Sequence, residues 1–320
     1  MKPVTRRVVL GTALAMPAVA QAAWPERPVR LVVPFTPGGS TDILARAMGQ
    51  RLSEIFGQPF IIENRPGAGG TLGAEMVARA TPDGHTLMMG HIGTLAVNPA
   101  LYPALSFDTA AFAPVALVAT VANFLVVTPR LAARDVPSLI ALAKSAPGRL
   151  TYGSGGNGSA AHIAMVAFME ATGTDMVHVP YRGTGPMMTD LMAGTIQLTM
   201  TGGPPALPPV RTGQLRALGI SSLQRLSAAN DIPTIAEQGV PGFDVLQWYG
   251  IVAPPGTPAA LIARLNEACN GILGEAAFRA RLETEGAEAQ PLTPQRFGAF
   301  ITAERERWGA LVRRAGVTLG

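Results

Sequence analysis

The sequence predicts an α/β chain of two lobes whose C-terminal part returns to the first lobe. Three observations predict it. The early part of the chain alternates strand-like and helix-like periodicity, a long β-prone run interrupts that alternation in mid-chain, and the alternation then starts again.

Taken in order, "VRLVVP" (29–34) reads as a core strand, and "TDILARAMGQRLSEIF" carries Ile43, Leu44, Ala47, Leu52 and Phe56 at near-helical spacing. "PFIIENRPGAGG" is a second strand running into a Gly-rich turn, "TLGAEMVARA" is helical, and "HTLMMG" is a third strand after the turn signal Pro82-Asp83-Gly84. Strands separated by helices in this way form a parallel sheet with right-handed crossovers. "PVALVATVANFLVVTP" (114–129) is unusually long for a strand and is read as passing from one lobe to the other. Beyond it, "SLIALAKSAP" is helical, "LTYGSG" is a strand entering glycines, "SAAHIAMVAFMEATG" is helical and "MVHVPY" is again a strand. "MMTDLMAG" and "IQLTMTGG" continue the pattern, and "GGPPALPPV" reads as a short turn or crossover. After "GQLRALGISS", the strand "WYGIVAP" and two terminal helices around 258–283 and 294–315 complete the return. The expected division is an N-terminal signal at 1–23, a discontinuous first α/β domain at 24–122 and 222–320, and a second α/β domain at 123–221. No single linker separates the lobes.

The first residues follow export grammar: a positive start, "MKPVTRR", an apolar run, "VVLGTALAMPAVA", and the small residues "AQA" for a signal peptidase. The paired Arg6-Arg7 suits both a twin-arginine and an ordinary signal. Lys2, Arg6 and Arg7 are the charged residues of this stretch, so its removal takes the formal charge from +4 down by three to +1. The remaining Lys and Arg are scattered, with no basic helix alternating with aromatics, so no nucleic-acid partner is expected. With 48% hydrophobic and 14% charged residues the chain is a folded protein. Cys269, the single cysteine, lies at helical spacing from Leu261, Leu265 and Leu273, which reads as a packed thiol. No heptad demands self-association, and a monomer is expected. The histidines are scattered without metal-ligand spacing, and neither a metal nor a cofactor is expected.

The chemistry concentrates in two loops. In "VVPFTPGGSTDILARAMGQRL" (Val32–Leu52), Gly38 and Gly39 remove side-chain bulk where the first helix amides lack acceptors, so a carboxylate or other anion fits that gap. Ser40 or Thr41 caps the helix or offers its hydroxyl to a ligand, and Asp42 in the first turn competes for the same positive end. An ordinary capped loop is the plainer alternative. "YGSGGNGSAAHIAM" (Tyr152–Met165) repeats the arrangement in the second lobe. Gly153, Gly155 and Gly158 satisfy a dinucleotide spacing, but the motif lies in mid-chain of a protein with 36 glycines, and an anion cradle built from Ser154, Asn157 and Ser159 beside the amides of Ser159 and Ala160 fits better. His162 either faces the cleft or packs behind it. "VPYRGTGPMMTDLMAG" supplies Tyr181 and Arg182 at a cleft rim, and "GHIGTLAVNP" supplies Thr94 and Asn98 at its edge. Ser154 lacks a nucleophile elbow and no carboxylate pair announces acid and base roles, so the reading is binding without turnover, with a hydrolase as the minor alternative.

The ordered phrases "WPERPVRLVVPFTPGGSTDILAR", "IIENRPGAGGTLGAE", "YGSGGNGSAAH", "VPYRGTGPMMTDLMAG", "GQLRALGISS", "IPTIAEQGVPGF" and "WYGIVAPPGTP" closely resemble the tripartite tricarboxylate transporter substrate-binding family, also called the Bordetella uptake gene or Bug family, over essentially all of the mature chain. The resemblance implies a type II-like, two-lobed periplasmic binding protein fold that closes on a small organic acid in the cleft and delivers it to membrane permease subunits. It also implies that Phe35 through Asp42, with Thr36, hold one end of the ligand. Ser154, Gly156, Asn157, Ser159 and Ala160 are then expected to hold the proximal carboxylate, and side chains around Arg182 to read the distal part. A sensor that presents the acid to a receptor kinase is the alternative use of the same fold. Gly202 and Gly203 stand where the family often has larger or polar residues, which changes the shape of the distal pocket.

Overall fold

The computed structural model describes residues 24–102, 104–284 and 286–318, so the expected export signal lies outside the described residues. Strand β1 (Val29–Val33), helix α1 (Ser40–Phe56), β2 (Phe60–Asn64), α2 (Thr71–Ala78) and β3 (Thr86–His91) open the fold. β1 lies between β2 and β3 and is parallel to both, the arrangement that helical crossovers produce. The apolar face of α1, with Leu44, Met48 and Leu52, packs on this sheet. The helix stops at Gly57, whose φ of 67° lets its amide turn back to the Ser53 carbonyl. A π-helical turn at Gly93–Val97 then leads into the short α3 (Asn98–Leu101).

Strand β4 (Ala113–Val127) is the long mid-chain run. Beyond it come α4 (Val136–Ser145), β5 (Thr151–Ser154), α5 (Ala160–Thr172), β6 (Val177–Pro180), α6 (Thr184–Ala193), β7 (Leu198–Gly202), α7 (Gly203–Arg211) and β8 (Arg216–Ile220). The chain ends with β9 (Leu246–Ala253), α8 (Ala259–Gly274), α9 (Ala276–Thr284), β10 (Ala287–Ala289) and α10 (Pro294–Arg314). The strand order is β2-β1-β3-β9-β4-β7-β5-β6, with β8 and β10 also on β4. β4 changes partner in its middle. As far as Ala122 it pairs antiparallel with β9, and from Asn123 it pairs antiparallel with β7. One strand thus belongs to both lobes, and β9 brings the chain back to the first.

Two expectations are corrected. The Pro-rich stretch read as a turn is helix α7: Pro204 and Pro205 sit in the first turn, where no amide donor is needed, and in nine residues few other amides have an intrahelical acceptor to lose. The helix expected over 258–283 is two helices, because Glu275 adopts an extended backbone between α8 and α9. Cys269 is fully buried on α8, and burial pushes its thiol up to about 12, which fits a packed thiol.

The lobes touch along glycines. Gly183, at φ 143°, approaches Thr36 so closely that a Cβ would collide with the Thr36 hydroxyl, and Gly69 leaves no room for one beside the Asn157 carbonyl. The Tyr102 hydroxyl donates across the same seam to the Asn157 carbonyl at 3.4 Å.

Candidate functional site

In the first lobe the loop after β1 reaches α1 through Gly38 at φ 88° and Gly39, the N-cap, and no side chain caps the helix. Ser40 and Thr41 therefore lie inside the first turn with their hydroxyls free for other partners, unlike the capping role open to them in the sequence. Asp42, in the first turn, has partners of its own. Its carboxylate accepts from the Gly38 amide at 3.1 Å, Asn64 Nδ2 at 3.0 Å and Arg46 Nε at 2.9 Å. Burial by itself would raise its pKa, but Arg46, Asn64 and Gly38 outweigh it and hold the carboxyl below the usual range. The acid best placed to cancel the positive end of α1 is thus neutralised by Arg46.

In the second lobe Ser159 is the N-cap of α5, and its hydroxyl accepts only the His162 amide, at 3.4 Å. Ala160 and Ala161 follow with amides that no side chain caps. Ser154 is fully buried behind this loop, accepting the Gly156 amide at 3.1 Å and pairing with His178 Nε2 at 2.6 Å. That pair props the loop and presents no oxygen to the cleft. The His162 Nδ1 accepts the Gly158 amide at 3.0 Å, and its ring stacks on His178 at 4.1 Å and 7°. Burial, then the neighbouring His178, brings His162 down to about 3, and burial brings His178 to about 4, so both rings are neutral at pH 7.

The two loops meet on opposite walls of one cavity of about 30 Å³, enough for a carboxylate or a water or two. Gly39, Ser40 and Thr41 form one wall; Gly155, Ser159, Ala160 and Ala161 form the other. Thr184, the first residue of α6, also lines it, and α6 too has no side-chain cap. Three helix starts therefore point their unpaired amides and positive dipole ends at one small space. Among the described residues no Asp, Glu, Lys or Arg side chain lines it. His91 does, with burial bringing it to about 4; its Nδ1 accepts the Gly93 amide at 2.7 Å, which leaves the proton on Nε2. Burial raises the Tyr249 phenol as well, keeping it protonated beside Ser40. The cavity is thus a neutral set of donors polarised positive, which suits an oxygen anion far better than a cation.

Of the residues singled out in the sequence, Phe35, Gly39, Ser40, Thr41, Ser159 and Ala160 line this cavity. Gly156, Asn157, Tyr181 and Arg182 line a larger outer cavity of about 550 Å³, which shares Phe35 and Gly155 with the inner one. Thr36 lies in the seam between lobes. Asp42, Thr94, Ser154 and His162 stand behind the walls, and Gly38 is exposed outside the cavity; Thr94, for example, is buried and bonded to the His91 backbone at 3.1 Å. Sequence reasoning missed His91, Thr201, Gln247 and Tyr249, which close the rear of the inner cavity. Their signal was a polar residue inside an otherwise apolar strand, as in "LTMTGG" and "LQWYGIVA".

Residues 44–317 match the family described as "Tripartite tricarboxylate transporter family receptor". The chain belongs to this family. Solved structures similar to this receptor include Rpa4515 of R. palustris with adipate, at 38% identity and TM-score 0.90 over 92% of this chain and 99% of that one. MatC (Rpa3494) from Rhodopseudomonas palustris with bound malate is 35% identical, with TM-score 0.86 over 90% and 100%. The periplasmic binding protein BugD is 31% identical, with TM-score 0.88 over 92% and 99%. The receptor therefore has the two-lobed α/β fold of periplasmic binding proteins that its sequence phrases imply. Among the described residues no helix is long and apolar enough to cross a membrane, and no group of three His, Cys, Asp or Glu is placed to hold a metal ion.

Proposed function

We propose that this receptor works in the periplasm, captures a small organic acid between its lobes and delivers it to the membrane permease subunits of a tripartite tricarboxylate-type transporter. One observation carries the reading: three helix starts from both lobes, those of α1 and α6 without a side-chain cap, converge on a small space that no charged side chain among the described residues lines. A carboxylate buried there exchanges water for preorganised amides, and each helix end contributes roughly 0.3–2 kcal/mol. The adipate and malate bound to two similar proteins support the same class of ligand. The inner cavity admits little more than the carboxylate, so the rest of the acid extends into the outer cavity, where Tyr181 and Arg182 meet its distal part. The lobes are taken as 24–122 with 222–320 and 123–221, which the partner change of β4 at Ala122/Asn123 supports.

Calorimetry of the purified mature protein with adipate, malate, succinate and aromatic acids tests this. Binding of at least one acid at micromolar concentration or below is expected, together with loss of that binding in its neutral amide. Binding confined to neutral or cationic solutes refutes the reading.

A further inference from the structure

The wall of the outer cavity constrains the part of the acid that the inner cavity cannot admit. The outer cavity offers about 550 Å³, within the range of sites that enclose drug-sized molecules, whereas the inner one offers about 30 Å³. The body of the ligand therefore has width available to it as well as length. Phe35, Leu72, Tyr102 and Tyr181 supply the large apolar and aromatic side chains of this wall, joined by Pro66 and Pro180. Among the described residues no Ser, Thr, Asp or Glu side chain lines it, and Arg182 is its one charged residue.

Both phenol protons of the wall are already spent. The Tyr181 hydroxyl donates to Asp190 Oδ2 at 2.7 Å, and the Tyr102 hydroxyl donates to the Asn157 carbonyl at 3.4 Å. A hydroxylated or ammonium-bearing body would exchange water for a wall with few side chains able to replace it, which costs affinity. Leu72 gives a second, independent sign. It is 56% exposed, and it lies across the main chain of Gly67, where a Cβ would come within 2.6 Å of Leu72 Cδ1. A large apolar side chain left open at the wall of a ligand cavity gains from being covered by an apolar ligand.

We propose that the acid this receptor selects is an arylalkanoate, with an apolar, ring-bearing body free of hydroxyl and ammonium groups, and that Leu72 is a specificity-determining residue for it. The inference rests on the reading of the cleft as an acid receptor and names the class of acid. A carboxylate on a methylene arm is narrow enough for the inner cavity, and the ring occupies the outer one against Leu72 and the aromatic side chains. A hydroxy acid of similar length brings groups that this wall cannot pair, and a plain aliphatic acid covers less of it.

Three dianions, 1,4-phenylenediacetate, adipate and galactarate, titrated by calorimetry into the purified mature protein, separate the possibilities. Their equal charge keeps the contributions of the helix starts and of Arg182 comparable. The ring-bearing acid is expected to bind about tenfold or more tighter than adipate, because each buried methylene is worth about fourfold, and adipate about tenfold or more tighter than galactarate. Leu72→Ser, at an exposed position of α2, is expected to unfold as cooperatively as wild type and to narrow the first ratio by at least about threefold, with Leu72→Met restoring it. Adipate or galactarate bound as tightly as the ring-bearing acid overturns the proposal and leaves the acid-receptor reading standing. An equal loss for all three acids in Leu72→Ser overturns the role of Leu72. Failure of all three to bind, in a protein that takes up neutral or cationic solutes, refutes the acid-receptor reading and the proposal with it.

Discussion

Three histidines show how burial sets chemistry at the scale of a residue. His91, His162 and His178 are brought to about 4, 3 and 4, against an ordinary value near 6.5. On acidification the unfolded chain takes up protons first, so the stability these rings contribute is full above about pH 6.5 and declines through the window down to about pH 4. Asp42 acts in the same sense at lower pH: its lowered pKa contributes stability that is full above the ordinary carboxylate value and is lost as pH falls below it. Between pH 7.5 and 5 the urea midpoint is therefore expected to fall, the buried His91 accounting for about 1–2 kcal/mol of unfolding free energy, and His91→Asn is expected to flatten the profile. A midpoint constant across that range would contradict neutral burial. Ser159→Ala removes a long cap bond and a cavity-wall hydroxyl together, so it is expected to cost about 1 kcal/mol of stability and about three- to tenfold in acid affinity, read by melting and calorimetry. Unchanged affinity there would move the contact to the backbone.

The helix start is the working unit at the scale of an element, and it can be tested without breaking the helix. Ala160 is the first residue of α5, and Ser159 before it has φ −65° and ψ 160°, a conformation compatible with a following proline. Ala160→Pro deletes one amide donor at a position where proline suits the helix. We expect the melting temperature to hold and acid affinity to fall about tenfold or more, since a hydrogen bond to a charged group is lost. Ala160→Val is the control for bulk. Equal losses in the two variants would point to packing instead of the amide. Much of this element was legible in advance: glycines, a small polar residue and a periodic apolar run announce a helix with an open start. The true cap was not legible, because Gly39 and Ser40 compete for one role and the outcome depends on Tyr249, which lies more than two hundred positions away in sequence.

At the scale of the whole molecule, closure is set by how near the lobes can come. Gly202 has an ordinary extended backbone, φ −61° and ψ 161°, yet a Cβ there would lie 2.5 Å from the Ser40 hydroxyl of the other lobe. Gly202→Ala therefore acts as a wedge between lobes without straining the backbone. Expected are a radius of gyration that no longer shrinks on adding acid and an affinity at least about tenfold lower, with cooperative unfolding retained. Normal compaction by small-angle scattering would show that the seam yields at Ser40.

The sequence by itself determined the α/β alternation, the strand that serves both lobes, the two glycine loops and the family. Each is written in local periodicity or in a run of neighbouring residues, which needs no knowledge of the rest of the chain. Tertiary structure alone decided that His91, Thr201, Gln247 and Tyr249 complete the cavity, that Asp42 turns to Arg46, and that Gln247 donates to Asn123. These depend on strand register across β4 and β9, where a shift of one residue would send every side chain to the opposite face.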